Sequence, residues 1–578
     1  MKPFGVLLLL YLGLACAQKP ASKPYPADPA HTGAAWFVDV APQAGLTAPN
    51  VNGGADRKQY ILEATGSGVA ILDYDNDGWA DIYLVNGQAL HPGSAPGAVP
   101  TGHLLRNGHD GTFKDVTATA GLQTTGWGQG ACVGDYDNDG FDDLFVTTYG
   151  HNHLFHNDGR GHFADVSEGA GAAGSGKEWG TGCAFVDYDR DGLLDIMVAS
   201  YVHFDLASTP RPGDVAACMW KGTPVMCGPR GLPSAPNILL HNEGKGHFRD
   251  VSASSGVQKT PGHYCFSVTT LDYNEDGWPD VYLACDSTPS ILYRNNHDGT
   301  FTDVAAEAGV AYNEDGREQA GMGATAADYD GDGHIDIFKT NFSDDIATLY
   351  HADSDGLFSE ATGPAGLAIN SDALGWGTMF ADVDNDSWPD ILVVNGHVYP
   401  EVDGAQLGAT FREPRFLYLN RGNGRFADVS KSSGPGLTEP LSGRGLAVAD
   451  LWNDGRMGAV VNNLSDKPML LVNRAANAHE WLGLKLTGTR SNRSAIGTRV
   501  TLRGTLDGRQ RLWVDEVRSG SSYNSSNDLR LHFGLGTGAK LTSLQVRWPS
   551  GDTEAFPLPE VNHIVTLTEG TGKAAKAE

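Results

Sequence analysis

The chain has 578 residues, a length that accommodates one large domain and a smaller one. Its 70 acidic and 41 basic side chains give a formal net charge of −29, which argues against nucleic acid or an anionic membrane surface as a partner. Its 75 glycines suit many short strands joined by tight turns.

The first 17 residues have the pattern of an export signal, with Lys2, an apolar run and then small residues. Residues 13–16 resemble a bacterial lipobox, which would place a lipid anchor on Cys16, whereas residues 15–17 fit ordinary cleavage before Gln18. We expect residues 18–33 to form a linker or tether. No later apolar run is long enough to span a membrane, so there is no predicted transmembrane span. The expected location is extracytoplasmic: secreted, periplasmic or lipid-anchored at the cell surface.

A nine-residue motif, D-x-[DN]-x-D-[GS]-x-x-D, occurs six times. Its positions 1, 3, 5 and 9 carry side-chain oxygens, and the backbone carbonyl of position 7 supplies a further one, as a hard dication requires. The sequence therefore predicts about six structural Ca²⁺ ions. The predicted ligands, loop by loop, are Asp73, Asp75, Asp77, Trp79, Asp81; Asp135, Asp137, Asp139, Phe141, Asp143; Asp187, Asp189, Asp191, Leu193, Asp195; Asp272, Asn274, Asp276, Trp278, Asp280; Asp328, Asp330, Asp332, His334, Asp336; and Asp382, Asp384, Asp386, Trp388, Asp390.

Two other interpretations of the motif were weighed. An EF-hand requires a bidentate Glu at position 12 and flanking helices, but position 12 is Leu84 in the first loop and Val146 in the second, and the flanks read as strands. Metal-free Asp-Gly hairpin turns do not require Asp at positions 1, 5 and 9 together. The motif therefore indicates a calcium loop that joins two β-strands.

A second repeat, F-x-D-V, occurs seven times in phase with the loops, with Phe358 opening a degenerate copy. Units of four strands at this spacing are typical of a β-propeller. We predict seven blades, with residues 36–40 completing the last one and a G-x-G strand before each loop lying innermost. A seventh, degenerate loop starts at Asp450 and lacks oxygen side chains at positions 3 and 9, so we expect it to hold no metal.

The loops and F-x-D-V strands of residues 34–474 resemble the FG-GAP/VCBS repeats of integrin α-subunit propellers and their bacterial relatives. Residues 475–572 contain motifs, among them G-S-S-Y at 520–523 and W-P-S-G at 548–551, that resemble the ASPIC/UnbV domain. This combination resembles the cartilage acidic protein family. The expected fold is all-β: a seven-bladed β-propeller with calcium loops, then a small β-rich C-terminal domain. Residues 573–578 are expected to be a disordered tail.

Six cysteines remain when Cys16 is set aside. Cys218 and Cys227 flank one loop, and Cys265 and Cys285 lie on the two strands beside the fourth calcium loop. Cys132 and Cys183 are left on corresponding strands of adjacent repeats. An oxidising compartment permits disulfide bonds, although the sequence alone does not prove the pairing.

The long connections on the face opposite the calcium loops form the candidate ligand surface, because loops on a rigid scaffold concentrate binding residues. Candidate residues are His91, His203, Trp220, His397 and Tyr399. His153, His156 and His241 are interpreted as packing or surface residues. The chain lacks G-x-S-x-G and H-E-x-x-H, so the predicted function is an exported binding or adhesion module for an extracellular protein or glycan, not an enzyme. The alternative is a polysaccharide-active enzyme with its site at the channel mouth.

Overall fold

The computed structural model describes residues 24–54, 56–90, 101–124, 126–405 and 407–576. These residues form an all-β protein with only short helices, as the sequence predicts. The predicted signal segment, Cys16 and His91 lie outside the described residues. Among those described, no helix is long and apolar enough to cross a membrane.

Seven four-stranded antiparallel sheets, here called sheets 1 to 7, account for the repeats within the described residues. In sheets 1 to 6 the strands follow chain order from the inside outwards. Sheet 1 contains Val69–Leu72, Asp81–Leu84, His103–Asn107 and Phe113–Asp115; sheet 2 contains Trp127–Gly134, Asp143–Tyr149, His153–Asn157 and Phe163–Asp165; sheet 3 contains Gly180–Val186, Asp195–Ser200, Ile238–Asn242 and Phe248–Asp250; sheet 4 contains Cys265–Leu271, Asp280–Cys285, Ile291–Asn295 and Phe301–Asp303. Sheet 5 contains Gly321–Ala327, Asp336–Asn341, Thr348–Ala352 and Phe358–Glu360, and sheet 6 contains Gly375–Ala381, Asp390–Asn395, Phe416–Asn420 and Phe426–Asp428.

Sheet 7 is assembled from both ends of the repeat region. It contains Gly443–Ala449, Gly458–Asn463, Met469–Asn473 and, as its outer strand, Phe37–Asp39. Phe37 pairs with Asn473, which confirms the prediction that the N-terminal strand completes the last unit. The first strand of each sheet packs against that of the next, and the first strand of sheet 7 packs against that of sheet 1. The predicted propeller arrangement is confirmed, because these contacts lead from sheet to sheet and back to the first one.

Small residues allow the inner strands to approach one another around the axis. A Cβ atom added to Gly130 would lie 2.6 Å from the Thr181 carbonyl oxygen, and one added to Gly445 would lie 2.3 Å from that of Ser67. In sheet 4 Ser267 stands at the corresponding position, and its hydroxyl donates a hydrogen bond to the Met322 carbonyl. The G-x-G pattern thus reflects close packing between strands.

Short helices follow most outer strands, and the Asp of F-x-D-V accepts a hydrogen bond from the first residue of the helix. In sheet 3, Asp250 Oδ1 accepts hydrogen bonds from the backbone N–H of Ser252, at 2.9 Å, and from its hydroxyl. This is an Asx-type turn that satisfies a free helix donor. The helices are Ala41–Ala44, Thr117–Ala120, Ser167–Ala170, Ser252–Ser255, Ala305–Ala308, Val402–Ala405 and Pro435–Thr438, with 3₁₀ turns at Ile61–Ala64, Ala216–Cys218 and Ser430–Ser432.

The C-terminal region forms two further sheets. One has the order Leu531–Gly536, Glu480–Thr487, His563–Thr568, and the other has the order Arg509–Glu516, Arg499–Leu506, Lys540–Arg547, Thr553–Phe556, Lys573–Ala574. Lys573 pairs with Ala555, and Ala574 pairs with Glu554. The prediction of disorder from residue 573 onwards is therefore wrong for these two residues, whose backbone extends the sheet.

Residues 519–527 of the C-terminal region fill the axis of the propeller. They are small and polar apart from Tyr523, which is fully buried and packs edge-on against Trp376 (ring centroids 4.6 Å apart) and Phe266 (5.4 Å). Serine and asparagine suit this place, because the inner strands present backbone groups that need partners. The hydrogen bonds to sheets 1, 2, 5, 6 and 7 are Ile71 N–Ser526 O, 3.0 Å; Ala131 N–Asn524 O, 3.2 Å; Ser522 N–Ala324 O, 2.6 Å; Thr378 N–Ser522 Oγ, 3.1 Å; and Val448 N–Asn527 Oδ1, 2.9 Å. Gly520 packs against the carbonyls of Cys183 in sheet 3 and Val268 in sheet 4.

All three predicted cysteine pairs are disulfide-bonded. Cys132–Cys183 joins the inner strands of sheets 2 and 3, Cys265–Cys285 joins two strands of sheet 4, and Cys218–Cys227 closes a hairpin of Met219–Trp220 and Thr223–Pro224. This hairpin belongs to the insertion of residues 202–236 in sheet 3.

Two predicted ligand-face residues are core residues. His397 is fully buried and Tyr399 is 8% exposed, and both rings pack under Trp220 at centroid distances of 4.8 and 6.0 Å. Lys221 lies over Trp220 and binds Asp344 at 2.7 Å. The prediction that His397 and Tyr399 face a ligand is therefore wrong, because the insertion covers them. His203 is exposed and Trp220 is partly exposed.

Candidate metal sites

The six predicted calcium loops connect the first and second strands of sheets 1 to 6, so they lie at one end of the propeller. Each loop is held by its own carboxylates. In sheet 2, Asp135 accepts a hydrogen bond from Gly140 N at 2.7 Å, and Asp139 accepts one from Phe141 N at 3.0 Å. Position 6 has positive φ, +97° at Gly140, and Ser387 adopts +84° in sheet 6. The sequence pattern thus encodes the turn that brings the oxygens together.

The position 9 carboxylate ties each loop to its third strand. Asp143 Oδ1 accepts the backbone N–H of Asn157 at 2.8 Å, and the same bond occurs in all six sheets at 2.7–2.8 Å. The Asn157 side chain donates to the Tyr74 carbonyl of the preceding loop at 2.8 Å. The sequence shows that this Asn recurs but not what it does. In the structure it links neighbouring loops.

Carboxylate oxygens converge as a bound cation requires. Ligand atoms of Asp73, Asp75 and Asp81 lie within 4.8 Å of one another, and those of Asp135, Asp137 and Asp143 do the same. Five buried oxygens of predicted ligands have no hydrogen bond of good geometry in the described structure: Asp75 Oδ1, Asp187 Oδ1 and Oδ2, Asp272 Oδ1 and Asp280 Oδ2. Buried acceptors without donors are costly, so the loops fit a dication that these oxygens would ligate.

The electrostatics of the loops also fit a bound dication. Burial and, to a smaller extent, the neighbouring carboxylates of each loop together raise the pKa of Asp81, Asp135 and Asp328 to about 8. A dication would favour the ionised form of every one of these groups. The position 7 residues would contribute only backbone carbonyls, since Trp79 stacks on His109 and Trp278 stacks on His297.

Guanidinium groups stand beside several of the loops. In sheet 1, Arg106 forms an ion pair with the predicted ligand Asp75 at 2.7 Å. In the degenerate loop of sheet 7, Arg456 binds Asp454 at 2.6 Å and Arg530 donates to the Asp450 carbonyl at 3.3 Å. The prediction that this loop holds no metal still rests on its missing oxygens at positions 3 and 9, since arginines also contact loops that are expected to bind Ca²⁺. In sheet 4, Arg547 forms an ion pair with the predicted ligand Asp272. The loop motif alone does not predict that an arginine of the C-terminal domain contacts this loop.

Sequence reasoning missed the histidines beside the loops. His156 and His241 were interpreted as packing or surface residues, but each imidazole lies against the carboxylates of positions 3 and 9. His351 does the same in sheet 5. The available signal was the next-to-last residue of the third strand, which precedes the recurring Asn in sheets 2 and 3 and Ala352 in sheet 5.

The C-terminal domain rests on the metal-loop end through position 4 of the loops. Asn138 accepts the backbone N–H of Arg493 at 2.7 Å, Glu275 binds Arg499 at 3.0 Å, and Asn385 bonds to His532 at 2.7 Å. Position 4 has positive φ in these loops, which turns its side chain away from the oxygen cluster. Position 4 of the loop therefore contacts the C-terminal domain, while positions 1, 3, 5 and 9 supply the side chains of the oxygen cluster.

Two sequence profiles match the chain. The profile described as FG-GAP-like repeat matches residues 73–146, 135–198, 272–339 and 328–393, so each match starts at position 1 of one loop and ends at position 12 of the next. The profile described as ASPIC and UnbV matches residues 488–574. The chain is an FG-GAP-repeat protein with an ASPIC and UnbV domain.

Curated relatives of the chain have low sequence identity to it. This FG-GAP-repeat protein is 27% identical to cartilage acidic protein 1 of Homo sapiens over 310 residues, which are 53% of the chain and 43% of the relative. It is 25% identical to that of Mus musculus, covering 67% of the chain and 54% of the relative, and 24% identical to that of Xenopus tropicalis, covering 86% and 73%. The chain thus spans about half the length of the human and mouse relatives.

Solved structures resemble the FG-GAP-repeat protein more loosely. An Agrocybe aegerita lectin that recognises non-reducing terminal N-acetylglucosamine has a TM-score of 0.37 and 16% identity, covering 71% of this chain and 94% of the lectin. A Bacillus licheniformis rhamnogalacturonan lyase has a TM-score of 0.36 and 12% identity, covering 75% of each chain. Both TM-scores are below 0.5, so no functional argument rests on them.

Proposed function

We propose that the protein is an exported calcium-binding β-propeller that acts as a binding or adhesion module for an extracellular protein or glycan. About six Ca²⁺ ions would be structural, held by the position 1, 3, 5 and 9 side chains and the position 7 carbonyl. The unpartnered buried oxygens and the all-oxygen donor sets support this proposal. The proposed domains are a signal at 1–17, a tether at 18–33, the propeller at 34–474 and the C-terminal domain at 475–572.

One observation carries the choice of binding surface. The C-terminal domain covers the metal-loop end, and residues 519–527 fill the axis from that side. The opposite end carries the connections between second and third strands, including the insertion of residues 202–236. Leu206, Val215 and Met219 of this insertion are 41%, 47% and 40% exposed. Exposed apolar side chains on a disulfide-bonded projection are suited to partner contact.

The filled axis of the propeller weighs against the enzyme alternative. A catalytic centre at the channel mouth needs space for a polysaccharide, whereas Trp179, Tyr201 and Trp376 are buried at the end opposite the metal loops, with Tyr523 beneath them. The aromatic rings pack against one another and leave the axis filled. We therefore favour recognition at the surface over chemistry in the axis.

Export is proposed from the signal pattern, and the three disulfide bonds suit an oxidising compartment. A lipid anchor at Cys16 would hold the propeller at the cell surface through the tether.

The test is a pull-down with residues 18–578 against cell-envelope extract and a polysaccharide panel, in calcium and in EGTA. A variant carrying Leu206→Ser, Val215→Ser and Met219→Ser should lose the captured partner. The matched control changes three exposed apolar residues elsewhere, Leu357→Ser, Ile369→Ser and Leu558→Ser, and should retain it. Equal capture by both variants would refute this binding surface, and shortening of a polysaccharide would favour the enzyme alternative.

A further inference from the structure

In three of the six metal loops an imidazole from the third strand lies between the carboxylates of positions 3 and 9, whereas His109 in sheet 1 and His297 in sheet 4 contact the position 5 carboxylate, at 2.8 and 2.9 Å. The group is repeated with similar geometry in sheets 2, 3 and 5, and in each the Nδ1 atom approaches the carboxylates of positions 3 and 9. The distances are His156 to Asp137, 3.4 Å, and Asp143, 3.4 Å; His241 to Asp189, 3.6 Å, and Asp195, 3.1 Å; and His351 to Asp330, 3.5 Å, and Asp336, 3.1 Å.

The position of the histidine follows from the strand register. In each case it immediately precedes the residue whose backbone N–H binds the position 9 carboxylate, so its backbone is fixed by the sheet. The corresponding residues are Arg106 in sheet 1, Arg294 in sheet 4 and Leu419 in sheet 6. The six loops therefore share an oxygen motif but differ in what the third strand adds.

The imidazole of the third-strand histidine adds a nitrogen donor to the oxygen donors of the loop. Ca²⁺ takes oxygen ligands, whereas imidazole nitrogen suits first-row transition metals. In sheet 3 the potential ligand atoms of Asp189, Asp195 and His241 lie within 4.8 Å of one another. Asp187 of the same loop is 2% exposed, its carboxylate has no hydrogen bond of good geometry in the described structure, and the Asn492 side chain is close enough to lower its pKa. A carboxylate buried beside other carboxylates with so little hydrogen bonding is suited to ligate a cation.

We propose that the loops of sheets 2, 3 and 5 are mixed carboxylate–imidazole sites that accept a first-row transition dication such as Mn²⁺ or Zn²⁺, with His156, His241 and His351 as ligands. The loops of sheets 1, 4 and 6 then serve oxygen-seeking Ca²⁺ alone. This inference rests on the proposed metal binding of the loops and adds a chemical distinction between two classes of site. In calcium-rich surroundings all six loops fill with Ca²⁺, and a transition metal exchanges into three of them.

The experiment uses Mn²⁺ as the probe and residues 18–578 stripped of metal with a chelator. With Mn²⁺ bound in the loops of sheets 2, 3 and 5, pulsed electron paramagnetic resonance should show ¹⁴N coupling from directly bound imidazole. The variant replaces His156, His241 and His351 with Leu, the residue that sheet 6 carries at this place. It should lose the ¹⁴N signal, and its tightest Mn²⁺ binding should weaken at least about tenfold.

A matched control is His153→Leu, three residues earlier in the same strand as His156, where the imidazole binds Asp165 and no metal loop. It should keep both the ¹⁴N signal and the affinity. Absence of ¹⁴N coupling in the wild-type protein overturns the inference, and this measurement needs no variant to fold. Calcium uptake measured on the same samples separates the two proposals: no uptake refutes metal binding by the loops, whereas normal uptake without ¹⁴N coupling refutes only the histidine ligands.

Discussion

Removal of the Tyr523 side chain is the sharpest test of how the two domains are joined. The ring is fully buried among Trp376 and Phe266, so Tyr523→Ala should cost about 3–5 kcal/mol, the range for truncating a buried aromatic residue. Residues 519–527 bond to inner strands across the propeller, so we expect the propeller and C-terminal domain to unfold together.

The size of the shift in Tm distinguishes joint from separate unfolding. At about 2.1 cal/mol/K per residue, joint unfolding of some 550 residues has an entropy near 1.2 kcal/mol/K, and a loss of about 4 kcal/mol lowers Tm by about 3–4 °C. Separate unfolding of a domain of about 100 residues would give a shift of nearly 20 °C in one transition. Scanning calorimetry in calcium measures both quantities.

Tyr523→Phe is the control, because it keeps the buried ring and removes only the hydroxyl, which has no hydrogen bond of good geometry. It should change Tm by less than about 1 °C, since the ring packing is kept. An unchanged Tm for Tyr523→Ala, or a large shift confined to a second transition, would refute the view that residues 519–527 make one cooperative unit of the two domains.

Three further predictions concern metal, pH and disulfides. Removing calcium with EGTA should lower Tm, and Asp328→Asn should weaken calcium protection against hydrogen exchange mainly in sheet 5; a metal-independent Tm would contradict structural calcium. Burial lowers the pKa of His397 to about 3, with Arg444 and Lys221 adding to the shift and Asp344 opposing it. The unfolded state therefore takes up a proton that the folded state does not between about pH 6.5 and 3, and stability should fall as pH falls through this window, by at most about 5 kcal/mol. His397→Asn should flatten that dependence in denaturant titrations at a series of pH values; an unchanged slope would contradict the assignment. Replacing the Cys265–Cys285 pair with serines should destabilise the protein by about 2–4 kcal/mol in urea, whereas the same change at the Cys218–Cys227 hairpin should leave global stability nearly unchanged. Equal losses would show that the hairpin insertion unfolds with the propeller.

The propeller was predictable because two independent repeats specify it. The D-x-[DN]-x-D-[GS]-x-x-D loops set the first turn of each unit, and the F-x-D-V strands set the last, so their common phase defines four strands per unit. The order of the repeats also located the closing strand, which the pairing of Phe37 with Asn473 confirms. Local patterns carry this information because each unit is built from contacts close in sequence.

The axis and the ligand face were not predictable in the same way. Residues 519–527 have the composition of a surface turn, and their burial depends on strands up to about 450 residues away, such as the one containing Ile71. His397 and Tyr399 stand on a long connection, where exposure is the usual outcome, yet Trp220 from another connection covers them. Contacts of this kind arise only when the ring closes.

The metal loops also hold the C-terminal domain, and the geometry of a nine-residue turn explains how they do both. Positions 1, 3, 5 and 9 point inwards to the oxygen cluster, while the positive φ of position 4 directs Asn138, Glu275 and Asn385 towards the domain. Without a cation, repulsion between the carboxylates of a loop should loosen position 4. Metal binding in these loops should therefore stabilise the contacts between position 4 and the C-terminal domain. These contacts in turn help to hold residues 519–527 in the axis.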